Sequence, residues 1–192
     1  MRKRKVIAFA GLDGSGKSTQ ISVIKKRFEE NGLAVKVVQH FDTPIGQKCK
    51  EIIRLSKDAY IRALAFALDE YSQKIDNSDI ADYDLILWDR SHYCAIAYSG
   101  AQGISELWLH SLYQFSQEYD LCLYLDISPE TSYSRKGLDD ISPQLRDTQF
   151  AKVRELYLQL AQNEKIKAIN AEQEFEKVTS DIEDAIWEVL RK

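Results

Sequence analysis

Short apolar runs alternate with amphipathic stretches along the whole chain. Val6-Ile7-Ala8-Phe9-Ala10 is a continuous apolar run with the length and branching of a strand buried on both faces. Four more runs read as strands: 33–39, 85–88 ending at Asp89, 121–125 ending at Asp126, and 165–169. Between them, apolar positions recur at helical spacing. Ile21, Ile24 and Phe28 do so after the first strand, and Asn31-Gly32 supplies a stop. Further helices are predicted over 45–56, 58–76, 104–118, 145–163 and 175–191. Such alternation predicts an α/β fold: an open, five-stranded parallel sheet with helices on both faces, its ligands at the carboxyl ends of the strands.

The helix expected over 58–76 breaks the amphipathic rule. Ala63-Leu64-Ala65-Phe66-Ala67-Leu68 is apolar all the way round, so both of its faces should be buried. A sheet covers only one of them. The other meets a partner subunit or lines a cleft, unless the whole helix is simply packed into the core.

Composition narrows the picture little but usefully. The chain has 192 residues, enough for one domain with a proper core, and neither a linker nor a repeat divides it. Its net charge of −4 argues against a nucleic-acid or membrane partner, so an anion site must be a local basic patch. The basic start at Met1-Arg2-Lys3-Arg4-Lys5 is followed by too short an apolar run for a signal peptide. Cys49, Cys94 and Cys122 are odd in number and widely spaced, which fits free thiols in a reducing cytoplasm.

Chemistry enters at Gly11-Leu12-Asp13-Gly14-Ser15-Gly16-Lys17-Ser18, which fits G-x-x-x-x-G-K-[ST], the phosphate loop. It lies between a strand and a helix, where that motif must lie. Glycines at 11, 14 and 16 let backbone N–H groups converge on phosphate oxygens, and the helix N-terminus adds positive potential. Lys17 is positioned to reach the β- and γ-phosphates, and Ser18 to ligate Mg²⁺.

Taken with the rest of the chain, this loop resembles that of thymidylate kinase, a family of P-loop nucleoside monophosphate kinases. Gly11 to Gln20 resembles the family's signature loop, and Thr43-Pro44-Ile45-Gly46 the start of an acceptor-side helix. Asp89-Arg90-Ser91-His92-Tyr93 followed by Ala97-Tyr98 resembles its Asp-Arg motif, and Leu123-Tyr124-Leu125-Asp126 its fourth strand. Asn170-Ala171-Glu172-Gln173 resembles the loop that touches adenine. The resemblance implies a three-layer P-loop NTPase fold and one kinase domain over 1–192, with a lid over about 133–145. It implies ATP with Mg²⁺, a nucleoside monophosphate acceptor, and a homodimer.

It also implies roles. ATP would lie on Gly11, Gly14, Ser15, Gly16, Lys17, Ser18 and Thr19, with Ala171 and Gln173 at the base. Asp13, Lys50, Phe66, Arg90 and Tyr98 would bind the acceptor. Arg90 either grips acceptor phosphate through its fork or forms a structural ion pair. Asp89 either holds Mg²⁺ with Ser18 or caps a helix. Arg135 in Ser134-Arg135-Lys136-Gly137 either brings transition-state charge from the lid, with Lys136 as substitute and Gly137 as hinge, or belongs to a solvated basic pair.

Departures from the family pattern gather on the acceptor side. An arginine that reads the thymine carbonyl is expected one turn beyond Phe66; Glu70 stands there, next to Asp69. A carboxylate accepts where a carbonyl needs a donor, so Glu70 either faces an exocyclic amine such as that of cytosine or pairs with Lys74 in solvent. Val38-Gln39-His40-Phe41-Asp42 replaces Arg-Glu-Pro-Gly-Gly, Lys50 replaces an arginine, Ser99 a glutamine, and Asp140 and Ser142 the later arginine and glutamate of the lid. The expected activity is ATP-dependent phosphorylation of dTMP or of a monophosphate with another base. The alternative is a nucleotide-binding sensor that has lost efficient transfer.

Overall fold

A computed structural model describes residues 4–77, 82–140, 150–162 and 165–192, with the backbone alone for 136–140. Five strands, β1 (Lys5–Ala10), β2 (Val35–Gln39), β3 (Leu85–Asp89), β4 (Leu121–Asp126) and β5 (Ile166–Asn170), form one all-parallel sheet in the order β2-β3-β1-β4-β5. The helices are α1 (Lys17–Glu30), α2 (Pro44–Leu55), α3 (Ala59–Asp76), α4 (His92–Ala101), α5 (Glu106–Leu112), α6 (Pro129–Asp140), α7 (Phe150–Leu160) and α8 (Phe175–Leu190). This is the α/β fold of P-loop NTPases. The central strands are buried on both faces, and Ile7, Phe9, Leu85, Leu87, Leu123 and Tyr124 are fully covered. That is why they read as unbroken apolar runs.

Two helices escape the periodicity. His92–Ala101 is apolar on nearly every side because it is buried among the other elements, so it shows no polar stripe to betray a helical period. Pro129–Asp140 starts with the proline its first turn tolerates, and Ser128 Oγ accepts from the N–H of Thr131. The long helix expected over 104–118 stops at Leu112. Lys74 Nζ of α3 donates to the carbonyls of Phe115 and Ser116, at 2.8 and 3.2 Å, oxygens that a continuing helix would aim along its own axis. The helix expected over 145–163 is seen as Phe150–Leu160; its first residues, and Asn163, lie outside the described residues.

Every strand ends at the same edge of the sheet. Gly11, His40, Asp89, Asp126 and Asn170 all lie there, and the loop after the central strand β1 sits where the order reverses.

Candidate active site

The loop between β1 and α1 is bent by its glycines. Gly11 has φ +144°, and a Cβ there would lie 2.6 Å from the Leu125 carbonyl oxygen and 2.7 Å from Ser15 Oγ. Gly16, at φ +91°, occupies the N-cap of α1 without a side-chain bond, so the first-turn N–H groups are left to the cleft in front of them. Lys17 folds over the loop and donates from Nζ to the carbonyls of Gly11 (3.0 Å) and Leu12 (2.8 Å) and to Ser15 Oγ (3.2 Å). Burial, reinforced by the charge of Arg90, lowers its pKa from 10.5 to about 8.

Ser18 Oγ donates to Asp89 Oδ2 at 3.0 Å, joining the start of α1 to the end of β3. Arg90 follows with φ +75°, a left-handed conformation rare outside glycine, and its Nη2 donates to Asp13 Oδ1 at 2.6 Å. Burial would lower the pKa of this guanidinium, but the Asp13 carboxylate more than offsets that and raises it. Ser132 Oγ of α6 donates to the Asp13 carbonyl at 2.5 Å. Arg135, one turn further along, donates to the carbonyls of Gly14 and Ala171, both at 3.3 Å. It bridges the phosphate loop and the loop after β5. The side chains of Lys136 and Asp140, and the lid positions 141–145 with Ser142, lie outside the described residues.

Two clefts meet at Asp13 and Arg90. The larger, about 510 Å³, holds Gly14 to Gln20, Asp89, Arg135, Ala171 and Gln173, so the residues expected to bind ATP converge there apart from Gly11, which shapes the floor. Phe175 and Val178 at the start of α8 form an apolar wall of this cleft that the sequence reading missed. Their signal was two apolar positions three apart beside the 170–173 loop. The smaller cleft, about 280 Å³, is lined by Lys50, Phe66 and Tyr98 from the expected set, and also by His40, Arg54, Arg62 and Gln102.

Glu70 is a correction: it faces neither the cleft nor the solvent. It is 1% exposed, and Tyr119 Oη donates to its Oε1 at 2.5 Å. His40 Nε2 lies 3.5 Å from Oε2 and His92 Nδ1 3.9 Å from Oε1. Burial would raise its pKa, yet these imidazoles and the tyrosine hydroxyl bring it below the ordinary carboxylate value. Lys74, its expected partner, is committed to the carbonyls of Phe115 and Ser116. The neighbouring Asp69 is also fully buried; it contacts His40 Nδ1 and accepts from the Phe41 N–H at 3.1 Å. Phe41, at φ +67°, is held in a left-handed bend by that bond. The altered segment 38–42 and the adjacent Asp69 and Glu70 of α3 are therefore one coupled replacement. His40, after β2, meets both carboxylates, through Nδ1 at Asp69 and through Nε2 at Glu70.

Comparison with known proteins bears on the whole assembly. Residues 9–182 match the protein family described as thymidylate kinase. A probable thymidylate kinase of Methanobrevibacter smithii is 33% identical over 187 residues, covering 94% of this chain and 93% of that protein. The thymidylate kinase of Haemophilus ducreyi is 32% identical over 203 residues, with 97% and 94% covered. Probable thymidylate kinase 1 of Saccharolobus solfataricus is 31% identical, with 91% and 93% covered.

Proposed function

The chain belongs to the thymidylate kinase family of phosphotransferases, and from that premise we propose that it transfers the γ-phosphoryl group of ATP to the 5′-phosphate of dTMP, giving dTDP and ADP. The observation that carries this reading is the wall shared by the two clefts, where Asp13 and Arg90 are paired at 2.6 Å. A triphosphate on the loop and a monophosphate beside Phe66 approach each other at that wall. Phosphoryl transfer asks little of the protein except alignment and charge, because the acceptor oxygen attacks γ-phosphorus as the bond to the β-phosphate oxygen breaks.

Each side chain then has a task. Lys17 exchanges loop oxygens for β- and γ-phosphate oxygens, and the N–H groups behind Gly16 hold the same anion. Arg90 and Lys50 neutralise the acceptor phosphate, Asp13 accepts from the sugar, and Phe66 stacks on the base. Tyr98 closes the far wall of that cleft. Arg135 supplies positive charge from α6 as it develops on the transferring group. The adenine base rests between the 170–173 loop and the apolar wall of Phe175 and Val178. Ser18 and Asp89 offer hard oxygen donors 3.0 Å apart, a set that suits Mg²⁺ together with waters. When bound with ATP, that ion neutralises the phosphate oxygens and orients them. Unpaired, buried Cys49, Cys94 and Cys122 support a reducing, cytoplasmic setting, and no described helix is long and apolar enough to cross a membrane.

A homodimer is part of the proposal. Ile61, Leu64, Leu68, Tyr71 and Ile75 of α3 are each about half exposed and follow a three-four spacing, an apolar seam on the side away from the polar stripe. A second copy offering the same seam is the cover that fits. ADP release with ATP and dTMP, set against dUMP, dCMP, dGMP and CMP, tests the activity. Turnover with dTMP is expected; ATP binding without turnover on any acceptor would leave a nucleotide-binding protein instead of a kinase.

A further inference from the structure

With Asp69 and Glu70 turned into the protein, no residue of α3 one turn beyond Phe66 addresses the acceptor base. One turn before Phe66 stands Arg62, on the same face of the helix, and it lines the acceptor cleft with Phe66 and Gln102. Its side chain is 7% exposed, its Nε has no hydrogen-bond partner, and Nη1 makes a single long bond, 3.5 Å, to Gln102 Oε1. Gln102 is itself fixed, donating from Nε2 to the Tyr98 carbonyl at 3.1 Å. A buried guanidinium with unused donors is costly unless something fills them, and the open space that Arg62 lines is the acceptor cleft. The charge is retained where the protein gives it no carboxylate among the contacts of the described residues.

We infer that Arg62 is the specificity-determining residue of the acceptor site, donating to the carbonyl at position 4 of the pyrimidine stacked on Phe66. Arg62 offers donors only, so it accepts the carbonyl edge of a thymine or uracil ring and opposes the exocyclic amine of cytosine. This rests on the kinase reading above, and it reverses the preference for cytosine that a cleft-facing Glu70 would have produced. Base reading has moved along α3 by two turns, from the position of Glu70 to Arg62. The vacated position is used instead to hold His40 and Tyr119. Because the base lies remote from the reacting phosphate, the contact is made equally in the ground and transition states and governs KM more than kcat.

Steady-state kinetics of the full chain with ATP and dTMP, dUMP or dCMP, in the wild type, R62K and R62M, decides it. The wild type is expected to use dTMP and dUMP at least about tenfold more efficiently than dCMP. R62M is expected to raise the KM for dTMP roughly ten- to hundredfold, to change kcat by no more than about twofold, and to spare dCMP, so that the preference collapses. R62K, which keeps the charge but loses the fork, falls between. Equal losses on dTMP and dCMP in R62M, or a wild-type preference for dCMP, overturn the inference. If R62M melts before assay temperature, the wild-type preference and R62K still decide. A wild type inert toward every monophosphate fails at the kinase reading; an active one without base preference fails only here.

Discussion

Burial puts the Lys17 ammonium within reach of titration near pH 8, and the charge of Arg90 pushes the same way. A bound polyphosphate favours the charged form and returns its pKa toward the ordinary lysine value. ATP binding at pH 8 is therefore expected to take up about half a proton, read by calorimetry in buffers of different ionisation enthalpy, with little uptake at pH 6.5. Above pH 8 the affinity for ATP should fall by up to about tenfold per pH unit, since each binding event must first protonate Lys17. Lys17→Ala should lower turnover about 10²- to 10³-fold while leaving the circular dichroism unchanged. At this scale, the placement of Lys17 and Ser18 at the cleft was legible because the phosphate-loop motif fixes them on one loop, and that of Asp89 and Arg90 because they close a strand. Glu70 was not, because its neighbours His40, His92 and Tyr119 come from three distant places in the chain. No local pattern carries that information, and a carboxylate on a helix reads the same whether it faces solvent or two partly buried imidazoles.

Helix α3 is built inside out. Arg62, Asp69, Glu70, Ser72 and Gln73 are buried against the rest of the chain, whereas Ile61, Leu64, Leu68, Tyr71 and Ile75 point away from it. The sequence announced the anomaly as an apolar circumference over 63–68, but not which side the chain itself would cover. The inward polar stripe holds the acceptor wall in shape. Asp69 secures both His40 and the left-handed bend at Phe41, and Thr43 Oγ1 bonds Ser72 Oγ at 2.8 Å beside it. Asp69→Ala should leave the Phe41 N–H and His40 Nδ1 without their partner, a loss of about 1–3 kcal/mol in urea unfolding, seen as a lower midpoint at unchanged slope. Asp69→Asn keeps an acceptor for the Phe41 N–H and should lose less. If Asp69→Ala unfolds at the wild-type midpoint, the coupling between the segment after β2 and α3 is not what shapes the cleft. Helix α4 shows the opposite limit of legibility: buried almost all round, it left no polar face to be read.

At the scale of the molecule, alternation of strand and helix was enough to foresee a parallel sheet with its ligands at one edge. The order β2-β3-β1-β4-β5 was not, because periodicity says which residues are buried and nothing about which strands are neighbours. The outward seam of α3 has the same standing: its spacing is visible in the sequence, its occupant is not. If a second copy covers it, the substitution pair Leu64→Glu and Leu68→Glu places like, unpaired charges in the middle of an apolar helix contact, which association cannot tolerate. Sedimentation should then give a dimer for the wild type and a monomer for the variant. The wild-type melting temperature should rise with protein concentration, and the variant's should not, because association stabilises only what it binds. Arg62 and Phe66 lie on the opposite side of the same helix, so losing the partner frees α3 to shift and loosens the acceptor cleft, while the phosphate loop stands on β1 and α1. The monomer is therefore expected to show a raised KM for dTMP with an unchanged affinity for ATP. Equal weakening of both nucleotides would mean that the seam supports the whole sheet, not the acceptor side alone.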